Sequence, residues 1–102
     1  MLLVYPKSEI IPQNIRLAFK DLGQEGINWG LRIAQCESGF NPYNVNRTDG
    51  QAKGLYQFKI GTFMANAKRI RIKNPDIWNW AQQIKVARYM FSIGQQRQWE
   101  CR

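Results

Sequence analysis

The chain has 102 residues, which fits one domain (residues 1–102) with one modest core. Apolar residues make up 44% and aromatics 13%, which excludes a disordered chain, and no apolar run is long enough to span a membrane. The net charge of +8 favours polyanionic partners, and the lack of any histidine removes Ser-His and Cys-His triads and most zinc sites.

The opening Met1-Leu2-Leu3-Val4-Tyr5-Pro6 is apolar. It is too short for a signal peptide and lacks a basic start and a small-residue cleavage site, so export by another route and a leader already removed both stay open. From about Pro12 to Leu22, Ile15, Leu17, Ala18, Phe19 and Leu22 follow a helical spacing that Gly23 closes. A second helix is predicted from about Asn28 to Ser38, with Trp29, Ile33 and Cys36 or Glu37 toward one side and Gly39 as its stop. Between Gly39 and Gly61 the helical period is broken, and the pattern reads as loop with a short hairpin, its turn at Thr48-Asp49-Gly50. A short helix from about Thr62 to Lys68 follows, with Thr62 as its cap. The Lys68-Arg69-Ile70-Arg71-Ile72-Lys73 stretch is basic and reads either as a solvated face or as a wall-binding patch. Asn74-Pro75-Asp76 reads as the start of the last long helix, from about Pro75 to Ile93, with Trp80, Ile84, Ala87 and Phe91 along one stripe and Gly94 at its end. The tail returns Trp99 and Cys101 toward the body of the domain. Trp78, Trp80 and Trp99 are expected in the core.

Without histidine, acid–base chemistry falls to the carboxylates, tyrosines or lysines. The densest chemical signal is Cys36-Glu37-Ser38-Gly39-Phe40-Asn41-Pro42, followed by Gly54-Leu55-Tyr56-Gln57-Phe58. Glu37 falls in the last turn of an otherwise apolar helix, where the helix dipole disfavours a carboxylate. Partial burial among Phe40, Tyr56 and Phe58 would raise its pKa, as a general acid requires; the plainer reading is a solvated residue at a helix end. Cys36 and Cys101 have neither metal nor redox spacing. They form either a bridge worth roughly 4 kcal/mol of loop entropy or two buried thiols in a reducing compartment.

These residues resemble the lysozyme superfamily, in particular the soluble lytic transglycosylase domains. That family's glutamate-serine pair at a helix end is matched by Glu37-Ser38, its Gly-Leu-Met-Gln by Gly54-Leu55-Tyr56-Gln57 with Tyr in place of Met, and its Ala-x-Tyr-like helix element by Ala87-Arg88-Tyr89. From Ile33 to Trp99 the pattern is also similar to the resuscitation-promoting factors, which pair a cysteine near the glutamate with one near the C-terminus. The stretches Glu37-Ser38-x-Phe40-Asn41 and Asn46-Arg47-Thr48-Asp49-Gly50 are similar to c-type lysozymes, but the place of that family's second carboxylate falls near Ala52.

The resemblance implies a mostly α, lysozyme-like domain with a small irregular or β-containing loop region beside the groove. It implies Glu37 as catalytic acid and base, with Ser38, Gln57 and Tyr89 lining the groove or orienting the glutamate. Tyr56 and Phe58 would offer ring faces to the sugars or fill the core. A Cys36–Cys101 disulfide would tie the glutamate-bearing helix to the tail. A retaining hydrolase needs two carboxylates about 5 Å apart; a single one favours transglycosylation of the bond between N-acetylmuramic acid and N-acetylglucosamine, closing a 1,6-anhydro ring. The expected partners are peptidoglycan glycan strands and anionic wall polymers, met by a monomer with no metal, cofactor or nucleic acid. The expected setting is extracellular, periplasmic or wall-associated, phage-borne included. A hydrolase using Asp49 or an inverting water, a catalytically inactive wall-binding or assembly module, and a basic nucleic-acid binder remain as alternatives.

Overall fold

The computed structural model describes residues 7–46 and 51–101. Among these, four α-helices carry the fold: α1 (Lys7–Phe19), α2 (Gly23–Ser38), α3 (Ile60–Arg69) and α4 (Trp80–Ser92). Short 3-10 turns lie at Lys20–Leu22 and Gln96–Gln98. α1 packs on α2 and α4, and α3 packs on α4. The described residues contain no named strand; the segment between α2 and α3 is irregular with two isolated antiparallel bridges, Val45–Lys53 and Lys53–Phe58. Among the described residues the fold is mostly helical as expected, and the loop region is irregular, with isolated bridges in place of strands. The Thr48-Asp49-Gly50 turn lies outside the described residues.

α2 buries Gly26, Trp29, Gly30, Ile33 and Ala34, the i, i+3, i+4, i+7, i+8 stripe of a core-facing helix. Its first turn extends to Gly23, ahead of the expected Asn28, because Gly26 and Gly30, which weaken local propensity, serve the packing. A Cβ on Gly30 would lie 2.9 Å from the Phe19 ring and 3.1 Å from Ile15. Only a residue without a side chain lets α1 approach this closely. α1 likewise starts at Lys7, ahead of the expected Pro12, and carries Pro12 inside it, where proline forgoes a backbone bond.

The remaining helix ends also differ from the sequence reading. Thr62 does not cap α3, which begins at Ile60 after Lys59. α4 begins at Trp80 rather than Pro75, because Asn79 supplies the cap: its side chain accepts the Gln82 N–H at 3.1 Å. Asp76 instead closes a local turn by accepting the Trp78 N–H at 2.9 Å. Trp78, expected in the core, is 37% exposed, whereas Trp80 is half-buried and Trp99 is buried. Lys68, Arg69, Arg71 and Lys73 are all exposed, with Ile70 and Ile72 packed toward the core between them.

One core joins all four helices to the central loop and the tail. Ile15 and Phe19 of α1 and Trp29 and Ile33 of α2 meet Phe63 of α3 and Ile84 and Met90 of α4. Leu55, Tyr56 and Phe58 enter it from the loop, and Trp99 from the tail. No helix among the described residues is long and apolar enough to cross a membrane.

Candidate active site

α2 ends at Ser38, and Gly39 follows in the left-handed conformation at φ 62°. The Gly39 N–H donates to the Gln35 carbonyl at 2.9 Å and the Phe40 N–H to Ala34 at 3.3 Å, so the last carbonyls are satisfied as the chain turns away. Glu37, in that final turn, is half-buried and opens onto a groove of about 280 Å³. The groove's apolar floor is Phe58, Met90, Trp99 and Ala52. Its polar lining includes Gln57, Asn46, Lys59, Gln98 and Glu100.

Burial is the largest influence on Glu37 and raises its carboxyl above the ordinary carboxylate range. A backbone hydrogen bond from Cys101 works against this by favouring the charged form, and the negative charge of Glu100 adds to the upward shift. The half-buried reading of Glu37 therefore displaces the plain solvated one.

A bridge joins Cys36 and Cys101, with their Cα atoms 5.9 Å apart. It fastens the tail to α2 one residue before Glu37. The tail's second anchor is Trp99, whose indole N–H donates to the Tyr56 carbonyl at 2.8 Å and whose ring meets Trp29 and Phe58 at centroid distances of 5.2 and 5.5 Å.

The loop wall is held from α4 by Gln83, which has no exposed surface. Its amide oxygen accepts the Tyr56 N–H at 2.8 Å, and its amide nitrogen donates to the carbonyls of Ile77 at 2.7 Å and Lys53 at 3.0 Å. Gly54 turns at φ 85°, and a side chain there would collide with the Gln83 amide. The sequence reading missed Gln83. A glutamine among Ile84, Val86 and Ala87 on the buried face of a helix was the signal, since a buried amide demands partners.

The expected groove residues divide. Gln57 lines the groove at φ 53°, with its side-chain amide donating to the carbonyls of Asn44 at 3.0 Å and Gly54 at 2.9 Å. Phe58 forms floor. Tyr56, considered as a sugar platform, is fully buried, and its hydroxyl donates to the Gly30 carbonyl at 2.8 Å. It has no face to offer a sugar: in place of methionine, the tyrosine fills the core and uses its one polar end on α2. Burial holds its phenol far above its ordinary range. Ser38 is not in the groove lining; its hydroxyl donates to the Leu55 carbonyl at 2.7 Å, with Ala34 at 3.1 Å as the alternative acceptor, so it joins α2 to the loop. Tyr89 is half-buried on α4 and packs against the core rather than lining the groove.

The c-type lysozyme comparison points to Ala52 for a second carboxylate, and Ala52 is a buried methyl in the groove wall. Asp49 lies outside the described residues. Glu100 is the carboxylate that shares the groove with Glu37, and the sequence reading did not name it. Its signal was its place between Trp99 and Cys101, both expected to turn inward. Among the described residues no group of His, Cys, Asp and Glu is placed to hold a metal ion.

No curated protein and no solved structure resembles the chain closely enough to count as a match. The sequence pattern of the transglycosylase SLT domain matches residues 17–99, which takes in α2, the central loop, α3, α4 and Trp99. The helical, lysozyme-like fold and the matched span agree: the chain belongs to the transglycosylase SLT domain family.

Proposed function

We propose that this domain is a peptidoglycan lytic transglycosylase that cleaves the β-1,4 bond between N-acetylmuramic acid and N-acetylglucosamine, with Glu37 as acid and then base. The observation that carries the reading is Glu37 itself, half-buried at a helix end in a groove, with its carboxyl raised by burial. A carboxyl in that state keeps its proton at a pH where an exposed glutamate has lost it.

In the first step the Glu37 carboxyl donates its proton to the glycosidic oxygen. The bond from that oxygen to C1 of the muramic acid breaks, and the N-acetylglucosamine leaves with a free hydroxyl. The substrate's acetamido group stabilises the positive charge developing at C1. In the second step the Glu37 carboxylate takes the proton of the C6 hydroxyl as its oxygen bonds to C1. The 1,6-anhydro ring closes, Glu37 is protonated again, and no water is consumed. In this reading Gln57 and Phe58, which line the groove, hold the sugar. A net charge of +8 suits approach to an anionic wall.

Glu100 favours a second reading. With another carboxylate in the groove, a hydrolytic outcome through water is chemically available. Mass spectrometry of muropeptides released from purified peptidoglycan separates the two, with Glu37→Gln as the control. Products one water lighter, ending in 1,6-anhydro-muramic acid, are expected; reducing ends that depend on Glu37 would replace the transglycosylase with a hydrolase. Release unaffected by Glu37→Gln would overturn both.

A further inference from the structure

We infer that Glu100 is a positioning residue of this groove, a carboxylate that the Cys36–Cys101 bridge and the buried Trp99 bring to the groove Glu37 lines. The inference rests on reading Glu37 as the general acid.

The geometry begins with the tail. After the 3-10 turn Gln96–Gln98, Trp99 is extended at φ −103° and ψ 128°. The chain then bends at Glu100. Trp99 turns inward and is 4% exposed, Cys101 is bonded to Cys36, and Glu100 between them is exposed and lines the groove that Glu37 lines. The backbone at Glu100 is thus held on both sides, by a ring packed in the core and by a covalent bond to the residue next to Glu37.

The other groups facing Glu37 across the groove sort by element. Lys59, just ahead of α3, is the cation in the described lining. α4 contributes Met90, and the loop contributes Ala52, Gln57 and Phe58, none of them charged. Arg47 and Asp49 lie outside the described residues. Glu100 is therefore the like charge in the described lining, and its negative charge opposes ionisation of Glu37.

The test follows the Glu37 carboxyl directly, by carbon-13 NMR titration of the oxidised protein, and needs no substrate. Glu100→Gln is expected to lower the Glu37 midpoint, and Glu100→Asp to restore most of the difference. Glu25→Gln is the control for net charge: it lies on α2 roughly 18 Å along the helix at 1.5 Å per residue and should leave the midpoint in place. In parallel, the alkaline limb of the pH–rate profile on purified peptidoglycan should move to lower pH in Glu100→Gln. An unchanged Glu37 midpoint in Glu100→Gln overturns the inference, as does an equal shift in Glu25→Gln. A midpoint that moves in a protein that releases no muropeptide upholds the coupling and overturns the peptidoglycan reading instead.

Discussion

Replacing Gln83 by methionine tests whether one buried amide holds the groove's loop wall. The substitution nearly preserves volume while removing every polar atom of the side chain. Three hydrogen bonds are lost: the acceptor for the Tyr56 N–H and the donor to the carbonyls of Ile77 and Lys53. The Lys53 carbonyl still accepts the Phe58 N–H at 3.0 Å, so the full cost falls on the Tyr56 N–H and the Ile77 carbonyl. At about 1–3 kcal/mol for each buried group left unsatisfied, the expected loss is about 3 kcal/mol. For a domain of this size that corresponds to a melting temperature lower by about 15 °C. Thermal and urea unfolding of the oxidised protein, monitored by circular dichroism, would measure it. Amide exchange at Tyr56 should accelerate in the same variant, because the loop opens where its partner has gone. A loss below about 1 kcal/mol with Tyr56 still protected would refute the reasoning, showing that the loop is held by Tyr56 and Trp99 packing alone.

Other substitutions probe other parts of the frame. Glu37→Gln should reduce muropeptide release by about 10²- to 10⁴-fold, the range for loss of a general acid, measured on purified peptidoglycan. The same variant carries a stability signature. Because burial raises the folded-state pKa of Glu37, its stabilising protonated form is fully present below the unfolded carboxylate range and is lost as pH rises through the folded value. Glu37→Gln should therefore melt above the native protein at about pH 7, with the gap closing in acid; equal melting at both pH values would contradict the burial argument. Removing the bridge with Cys36→Ser and Cys101→Ser, a closure across 65 residues, should cost about 4 kcal/mol in denaturant unfolding. Gly30→Ala forces a methyl into the Phe19 ring and should cost about 1–3 kcal/mol by thermal melting.

Part of the site was legible in the sequence alone. Glu37 lay at the end of an apolar helix followed by Gly39, and helix register plus a glycine stop are local properties that a sequence displays directly. The Tyr56 hydroxyl was not legible, because its acceptor is a carbonyl on α2. Neither was the commitment of Ser38 to Leu55, a bond between elements that the sequence separates. The misjudged helix starts have a common cause. Pro12 and Pro75 are strong local signals, yet the packing of α1 against Gly30 and the Asn79 cap outweighed them.

The sequence by itself determined a helical domain of the transglycosylase SLT family, the location of Glu37 and the chemistry open to a chain without histidine. Those follow from periodicity, composition and motif order, which need no knowledge of what lies across the core. Only the tertiary structure decided which polar groups face the groove and which face each other. Tyr56, Ser38 and Gln83 turn inward to satisfy backbone groups of neighbouring elements, while Glu100 is brought to Glu37 by a bridge spanning 65 positions. A buried hydrogen bond or a shared groove is a relation between distant segments, and the energy that fixes it arises only when the chain has closed around its core.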